Sequence, residues 1–366
     1  MKTPIALAAW LSLTPCLVAA DSRPSPAPPP TTATQFVPAA DPRFAYEGRF
    51  DFTDRAQPVV IWQASRIRID FAGDTLVLLF ANARGQCFFN AGIDGAAMVV
   101  AVAAGPADRV AVGGLGTGRH QLTLVKRSEA AAGATGFRGI EIAAGSAAWA
   151  PAPPAAKLRL EFIGDSITAG ACNEDGATDQ WEDRRTHNGA LSYAALTAAA
   201  LDADHRNIAV SGMGIVTGYV PMTAGHIWDR IYPEPSSTRA DLVAWTPDVV
   251  FVNFGENDDS FTRGHGQPFP AGFADGYVAL IRAIRAGYPQ AQIVLLRGGM
   301  FGGARSAPLR LAWTAAVARL EAADARIHHF VFTHWTEQHP RVADDRAMAD
   351  ELAAWLRQQP FLQTGR

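Results

Sequence analysis

The sequence predicts an α/β protein in two parts: an N-terminal β-sandwich of jelly-roll type, then a three-layer α/β/α domain on a parallel sheet. Two patterns carry this. Before residue 148 there are short strand-like runs with frequent turn residues, and after residue 157 strands alternate with helical segments. The length of 366 residues agrees, since domains average about 150. Lys and Arg total 32 against 35 Asp and Glu, a net charge of -3, which argues against a surface built to neutralise phosphates or anionic lipid. Charged residues make up only 18% and hydrophobic ones 48%, the balance of a globular chain and not of a disordered one.

Residues 1–20 read as a signal peptide: Lys2, an apolar run over 5–13, then Val18-Ala19-Ala20 as a cleavage site. The expected destination is the periplasm or the extracellular space. Residues 21–40 hold Pro24, Pro26, Pro28, Pro29 and Pro30 among small residues and read as an extended linker. The sandwich is expected over 41–148. Within it, 67–71 and 120–126 alternate with period two, and 75–80, 87–93 and 97–102 are apolar runs between Gly, Asp and Asn turns. Pro151, Pro153 and Pro154 make 149–157 a second linker, a hinge between domains.

The second domain is expected over 158–360. Its strands are 158–163, 207–210, 248–253, 292–296 and 327–332, and its helices 190–201, 271–286, 308–323 and 342–357. Such a sheet is parallel and covered on both faces, with ligands gathering at the carboxyl ends of its strands. The longest later stretch without Asp, Glu, Lys or Arg, 207–228, contains four glycines and Pro221, so no membrane helix is expected. Removing a signal peptide takes away Cys16. Cys87 and Cys172 remain, either as one disulfide or as two buried thiols.

Four places carry chemistry-bearing residues. Gly164-Asp165-Ser166-Ile167-Thr168 follows the first strand of the second domain, where a serine is exposed at the ligand edge or caps a helix. Ser211-Gly212-Met213-Gly214 follows the second strand. There glycine allows close backbone approach and N–H donation, while the third glycine, Gly218, comes one residue late for a dinucleotide fingerprint. Asn253-Phe254-Gly255-Glu256-Asn257-Asp258 follows the third strand, and the Asn257 amide can stabilise an oxyanion without titrating or close an Asx turn. Near the C-terminus stand His328, His329, His334 and His339. A metal cluster is not expected from them, because adjacent strand residues face opposite ways and H-E-x-x-H is absent.

Ser, Gly, Asn and His in this order resemble the SGNH hydrolase superfamily, the GDSL esterases, with Ser166, Gly212, Asn257 and His339 on its four marks. A sandwich ahead of such a domain, with the run Phe88-Phe89-Asn90-Ala91-Gly92-Ile93-Asp94-Gly95, resembles family 2 carbohydrate esterases. That resemblance implies removal of acetyl groups from a polysaccharide such as acetylxylan through an acetyl-enzyme. Ser166 would be the nucleophile and His339 its base, with Ser166, Gly212 and Asn257 forming the oxyanion hole and Asp165 bracing the turn.

No cofactor and no metal is implied. The implied partner is an acetylated polysaccharide, without nucleic acid or membrane, for a monomeric protein. One departure stands out. The superfamily places Asp three residues before its His, whereas Thr336 stands here and Glu337 is the nearest carboxylate. Either Glu337 completes a triad or a backbone carbonyl holds the ring. Trp181, Trp228, Tyr232 and Trp335 are candidate sugar platforms, and loop 171–189 a candidate rim. The competing readings are an SGNH esterase on peptidoglycan O-acetyl, lipid or thioester substrates, an acyltransferase, and a non-catalytic sugar-binding protein.

Overall fold

The computed structural model describes residues 33–153 and 158–363. The expected signal peptide, most of the first linker and residues 154–157 of the second lie outside these. The sandwich begins earlier than expected, because β1 (Thr34–Pro38) pairs antiparallel with β11 (Gly133–Ala143) inside the stretch read as a tether. Between them run β2 (Ala45–Glu47), β3 (Phe50–Asp51), β4 (Val59–Val60), β5 (Arg66–Ala72), β6 (Leu76–Gly85), β7 (Cys87–Ile93), β8 (Ala96–Val102), β9 (Gly105–Val112) and β10 (Arg119–Lys126), and β12 (Ala148–Trp149) follows. One sheet has the order β3-β4-β11-β6-β9 with β1 on β11, and the other β12-β5-β10-β7-β8 with β2 on β5. Alternation explains the packing: Ile67, Ile69 and Phe71 of β5 and Leu122 and Leu124 of β10 face a common core with Phe80, Phe89 and Phe137.

The second domain carries a five-stranded parallel sheet of order β14-β13-β15-β16-β17. Its strands are β13 (Arg159–Gly164), β14 (Asp204–Ala209), β15 (Val249–Asn253), β16 (Gln292–Met300) and β17 (Ile327–Thr336). The helices are α1 (Ser166–Ala169), α2 (Tyr193–Ala200), α3 (Ala224–Ile227), α4 (Glu256–Gly264), α5 (Phe273–Gly287), α6 (Phe301–Arg305), α7 (Ala307–Glu321) and α8 (Val342–Arg357). Strand residues divide by parity. Phe162, Phe251 and Leu296 meet α2 and α8 on one face, while Val252, Leu295 and Ile163 meet α5 and α7 on the other. The strand order reverses between β13 and β15, the crevice where open α/β sheets bind ligands.

Ile61, Trp62, Ala130 and Ala134 of the sandwich belong to the same core as α5 and α7. Around them, Arg49 Nη2 donates to Glu161 Oε1 at 3.1 Å, and the Trp62 indole N–H donates to the Ile231 carbonyl at 2.7 Å. Gln63 Nε2 reaches Asn207 Oδ1 at 2.9 Å. The stretch read as a hinge starts inside β12, which pairs with β5. The two domains share buried apolar and polar groups.

Candidate active site

Ser166 is the first residue of α1, directly after β13. Asp165 caps that short helix, its Oδ1 accepting the Ile167 N–H at 3.1 Å. Ser166 therefore has no intrahelical acceptor for its own N–H, and its Oγ donates to His339 Nε2 at 2.9 Å. His339 Nδ1–H donates in turn to Asp179 Oδ2 at 2.6 Å. The expected role of Glu337 is corrected: it is exposed, and Asp179 from loop 171–189 holds the imidazole. The chain turns after β17, where Thr336 donates its hydroxyl to the Gln338 carbonyl at 2.6 Å, so His339 faces the opposite loop and not the residues just before it.

Asp179 is itself fixed. Arg341 Nη1 donates to its Oδ1 at 2.8 Å and also to the carbonyls of His339 at 2.9 Å and Cys172 at 3.0 Å. Burial pushes the Asp179 carboxyl up, but the His339 hydrogen bond and charge, with Arg341, overcome this and hold it down at about 2. It therefore stays a carboxylate, orienting the ring so that Nε2 can take the serine proton.

Gly212 follows β14 with φ of 79°, a conformation that disfavours a side chain, and an added Cβ would meet Tyr219 Cβ at 3.1 Å. Its carbonyl accepts the Tyr219 N–H at 2.8 Å. Asn257 sits in the first turn of α4, and its Nδ2 donates to both Asp165 Oδ2 and the Met213 carbonyl, each at 3.1 Å. Both amide hydrogens thus have internal acceptors, and a bond to an oxyanion would be shared with one of them. The neighbouring Asp258, last residue of the same motif, has a role that the motif does not announce. Its carboxylate accepts three N–H groups, from Ile215 and Val216 at 2.8 Å and Thr217 at 3.1 Å, and so pins the loop after Gly212.

The sandwich also reaches the site. Glu129 Oε2 accepts the Ser211 N–H at 3.2 Å, while Oε1 faces Arg184 Nη1 at 3.1 Å and His187 Nδ1 at 3.4 Å. Gln86 donates to the Glu182 carbonyl at 2.7 Å and accepts the Arg184 N–H at 3.0 Å. Of the four candidate aromatic platforms, Trp181 stands edge-on to His339, ring centroids 5.1 Å apart, and is partly exposed. Trp228 is buried against Tyr288, Tyr232 bonds to Asp51 of the sandwich, and Trp335 lies against Phe301. His328, His329 and His334 hold separate partners, Gln292, Glu321 and Asp344, and form no cluster. Cys87 and Cys172 are both buried free thiols.

Known families match both halves of the chain: "Carbohydrate esterase 2 N-terminal" over residues 46–154 and "GDSL-like Lipase/Acylhydrolase family" over 162–359. A family two carbohydrate esterase from Clostridium thermocellum, solved with cellohexaose, is 31% identical, with a TM-score of 0.76 over 86% of this chain and 98% of that one. The chain belongs to the family 2 carbohydrate esterases. Curated relatives of this family 2 protein include the cellulase/esterase CelE of Acetivibrio thermocellus, 32% identical over 87% of this chain. The chain spans 39% of the length of CelE. An acetylxylan esterase / glucomannan deacetylase of Cellvibrio japonicus is 27% identical, over 81% of this chain and 85% of its own. The site of this family 2 member thus combines a serine, an imidazole and a carboxylate in hydrogen-bonded series at the end of a parallel sheet.

Proposed function

We propose that the protein is a serine esterase that removes O-acetyl groups from polysaccharide, acetylxylan or a related hemicellulose. The observation that carries this is the Ser166–His339–Asp179 series, at 2.9 and 2.6 Å, in a chain of the family 2 carbohydrate esterases. Two relatives in Cellvibrio japonicus bear the name acetylxylan esterase / glucomannan deacetylase, which supports the substrate class.

In this reading His339 takes the Ser166 proton as Oγ attacks the acetyl carbonyl. The oxyanion receives the N–H groups of Ser166 and Gly212 and a shared bond from Asn257, each donor contributing about 3 kcal/mol in the transition state. His339 then protonates the departing sugar oxygen, and water repeats the attack on the acetyl-enzyme. Trp181 flanks the imidazole, where a sugar ring can stack. The charged start, apolar run and small residues of 1–20 support export, and the protein acts as a monomer on carbohydrate, away from nucleic acid and membrane.

The test is acetate release from acetylated xylan by the wild type and by Ser166→Ala. Release by the wild type alone is expected, with unchanged thermal stability of the variant. Equal release by both would remove Ser166 from the mechanism. Transfer of acetyl to an added acceptor sugar, in place of release to water, would make the protein an acyltransferase.

A further inference from the structure

Among the described residues, side chains able to share a metal ion form two trios, both built on Cys172. One adds the catalytic pair Asp179 and His339, and the other adds Asp175 and His187. In the second, the cysteine and histidine atoms and a nearby backbone carbonyl have spacings close to those of a coordination shell. Cys172 Sγ lies 3.5 Å from His187 Nε2 and 3.5 Å from the Gln180 carbonyl oxygen, which is itself 3.2 Å from His187 Nε2. Zinc bound to sulfur at about 2.3 Å and to nitrogen or oxygen at about 2.0–2.1 Å sets tetrahedral neighbours about 3.3–3.6 Å apart. A carboxylate oxygen of Asp175 lies within 4.8 Å of both side-chain ligand atoms, near enough to close on an ion as a fourth ligand; its two oxygens accept the Gln180 backbone and side-chain N–H groups at 2.9 and 3.1 Å.

The surroundings fit as well. Cys172 is fully buried and takes φ of 58°, a left-handed backbone that L residues rarely adopt. His187, also buried, has Nδ1 3.4 Å from Glu129 Oε1 and 3.5 Å from Arg184 Nη1; with the Nδ1–H given to the carboxylate, Nε2 is left as the ligand. Three carboxylates, Asp175, Asp179 and Glu129, act on the thiol. With burial as the largest cause, they push its pKa well above the ordinary value. A cation among these groups reverses that balance. The catalytic trio fits less well, because His339 Nδ1 and Asp179 Oδ2 are 2.6 Å apart, too close for two ligands of one tetrahedral ion.

We propose that Cys172 Sγ, His187 Nε2, an Asp175 carboxylate oxygen and the Gln180 carbonyl form a structural zinc site on the loop that presents Asp179 to His339. Binding converts the thiol to a zinc-bound thiolate and releases its proton to solvent. The ion ties both ends of loop 171–189 together and takes no part in acetyl transfer.

The test uses the full-length protein, stripped by a chelator and titrated with Co²⁺ as a spectroscopic probe. The expected result is one equivalent bound, with a thiolate-to-cobalt charge-transfer band and tetrahedral d–d bands, both displaced by Zn²⁺. Zinc should also raise the melting temperature and leave acetyl-ester turnover in place. Cys172→Ser should abolish the charge-transfer band while circular dichroism stays native, and Asp175→Asn should weaken cobalt binding at least about tenfold. Cys87→Ser should change nothing. A folded wild type with no thiolate band, or a band that survives Cys172→Ser, overturns the proposal. Loss of activity at one equivalent of zinc also overturns it, since the ion would then sit on Cys172, Asp179 and His339.

Discussion

Asp179 does two things to His339: it holds the ring by Nδ1 and offsets the positive charge the ring acquires when it takes the serine proton. Asp179→Asn keeps the shape but disturbs the tautomer, so kcat should fall by about 10⁴. Glu337→Ala should stay within about twofold of wild type, since that side chain is exposed and touches neither ring nor serine. Equal losses in steady-state assays of the two variants would return Glu337 to the site. A second residue sets a pH dependence. Burial, with the nearby charges of Glu256 and Asp258, pushes the Asp165 carboxyl up to about 8, against the Ile167 N–H that favours its charge. Below that pH it is neutral beside Asn257, and above it a negative charge stands behind an oxyanion donor. Turnover should therefore decline as pH rises through about 8. Because the folded pKa exceeds the unfolded 3.8, the group's stabilising effect is complete in acid and is lost as pH climbs toward 8. A kcat profile flat across this range would mean the charge is not felt at the reacting carbonyl.

At the scale of elements, the site is two loops held from outside. The loop bearing Asp179 and the turn bearing Gly212 both hang from Glu129, a sandwich residue between β10 and β11. Glu129→Gln keeps an acceptor for the Ser211 N–H but weakens the hold on Arg184 and His187. It should lower kcat about tenfold or more through misplacement, with a smaller change in KM for a short acetyl ester. A loss confined to KM would make Glu129 a substrate contact instead. This arrangement also explains what the sequence made legible. Ser166, Gly212 and Asn257 each stand at the start of a loop or helix directly after a strand, so local pattern located them. Asp179 meets His339 across 160 positions from a loop with no periodicity, and Glu129 comes from the other domain; only chain folding reveals either. Strand ends misled for a related reason. Gly298 and Gly299, at φ of 125° and 96°, look like a terminus, yet β16 bulges through them and runs on to Met300. Asp204, His205 and Arg206 hid the start of β14, although His205 is buried and Arg206 lies over Trp245.

For the whole molecule, the shared core predicts one unfolding event. Ile61 and Trp62 pack with α5 and α7, and the Arg49–Glu161 pair crosses between domains with both side chains at most 2% exposed. Arg49→Met leaves Glu161 buried without its partner and should destabilise by about 3–5 kcal/mol, shifting a single calorimetric transition downward. Two separate transitions in the wild type would mean the domains unfold independently. Both domains and their order are legible in the residue pattern, but the join is not, because a proline run in sequence marks a chain crossing and says nothing of the surfaces it connects. The Glu129 contacts have an evolutionary corollary. A module joined by a flexible tether can be exchanged for another through recombination of the gene without harm to its neighbour. Here a sandwich lacking a carboxylate at the place of Glu129 would leave Ser211 and Arg184 ungripped, so a grafted partner must bring that group with it.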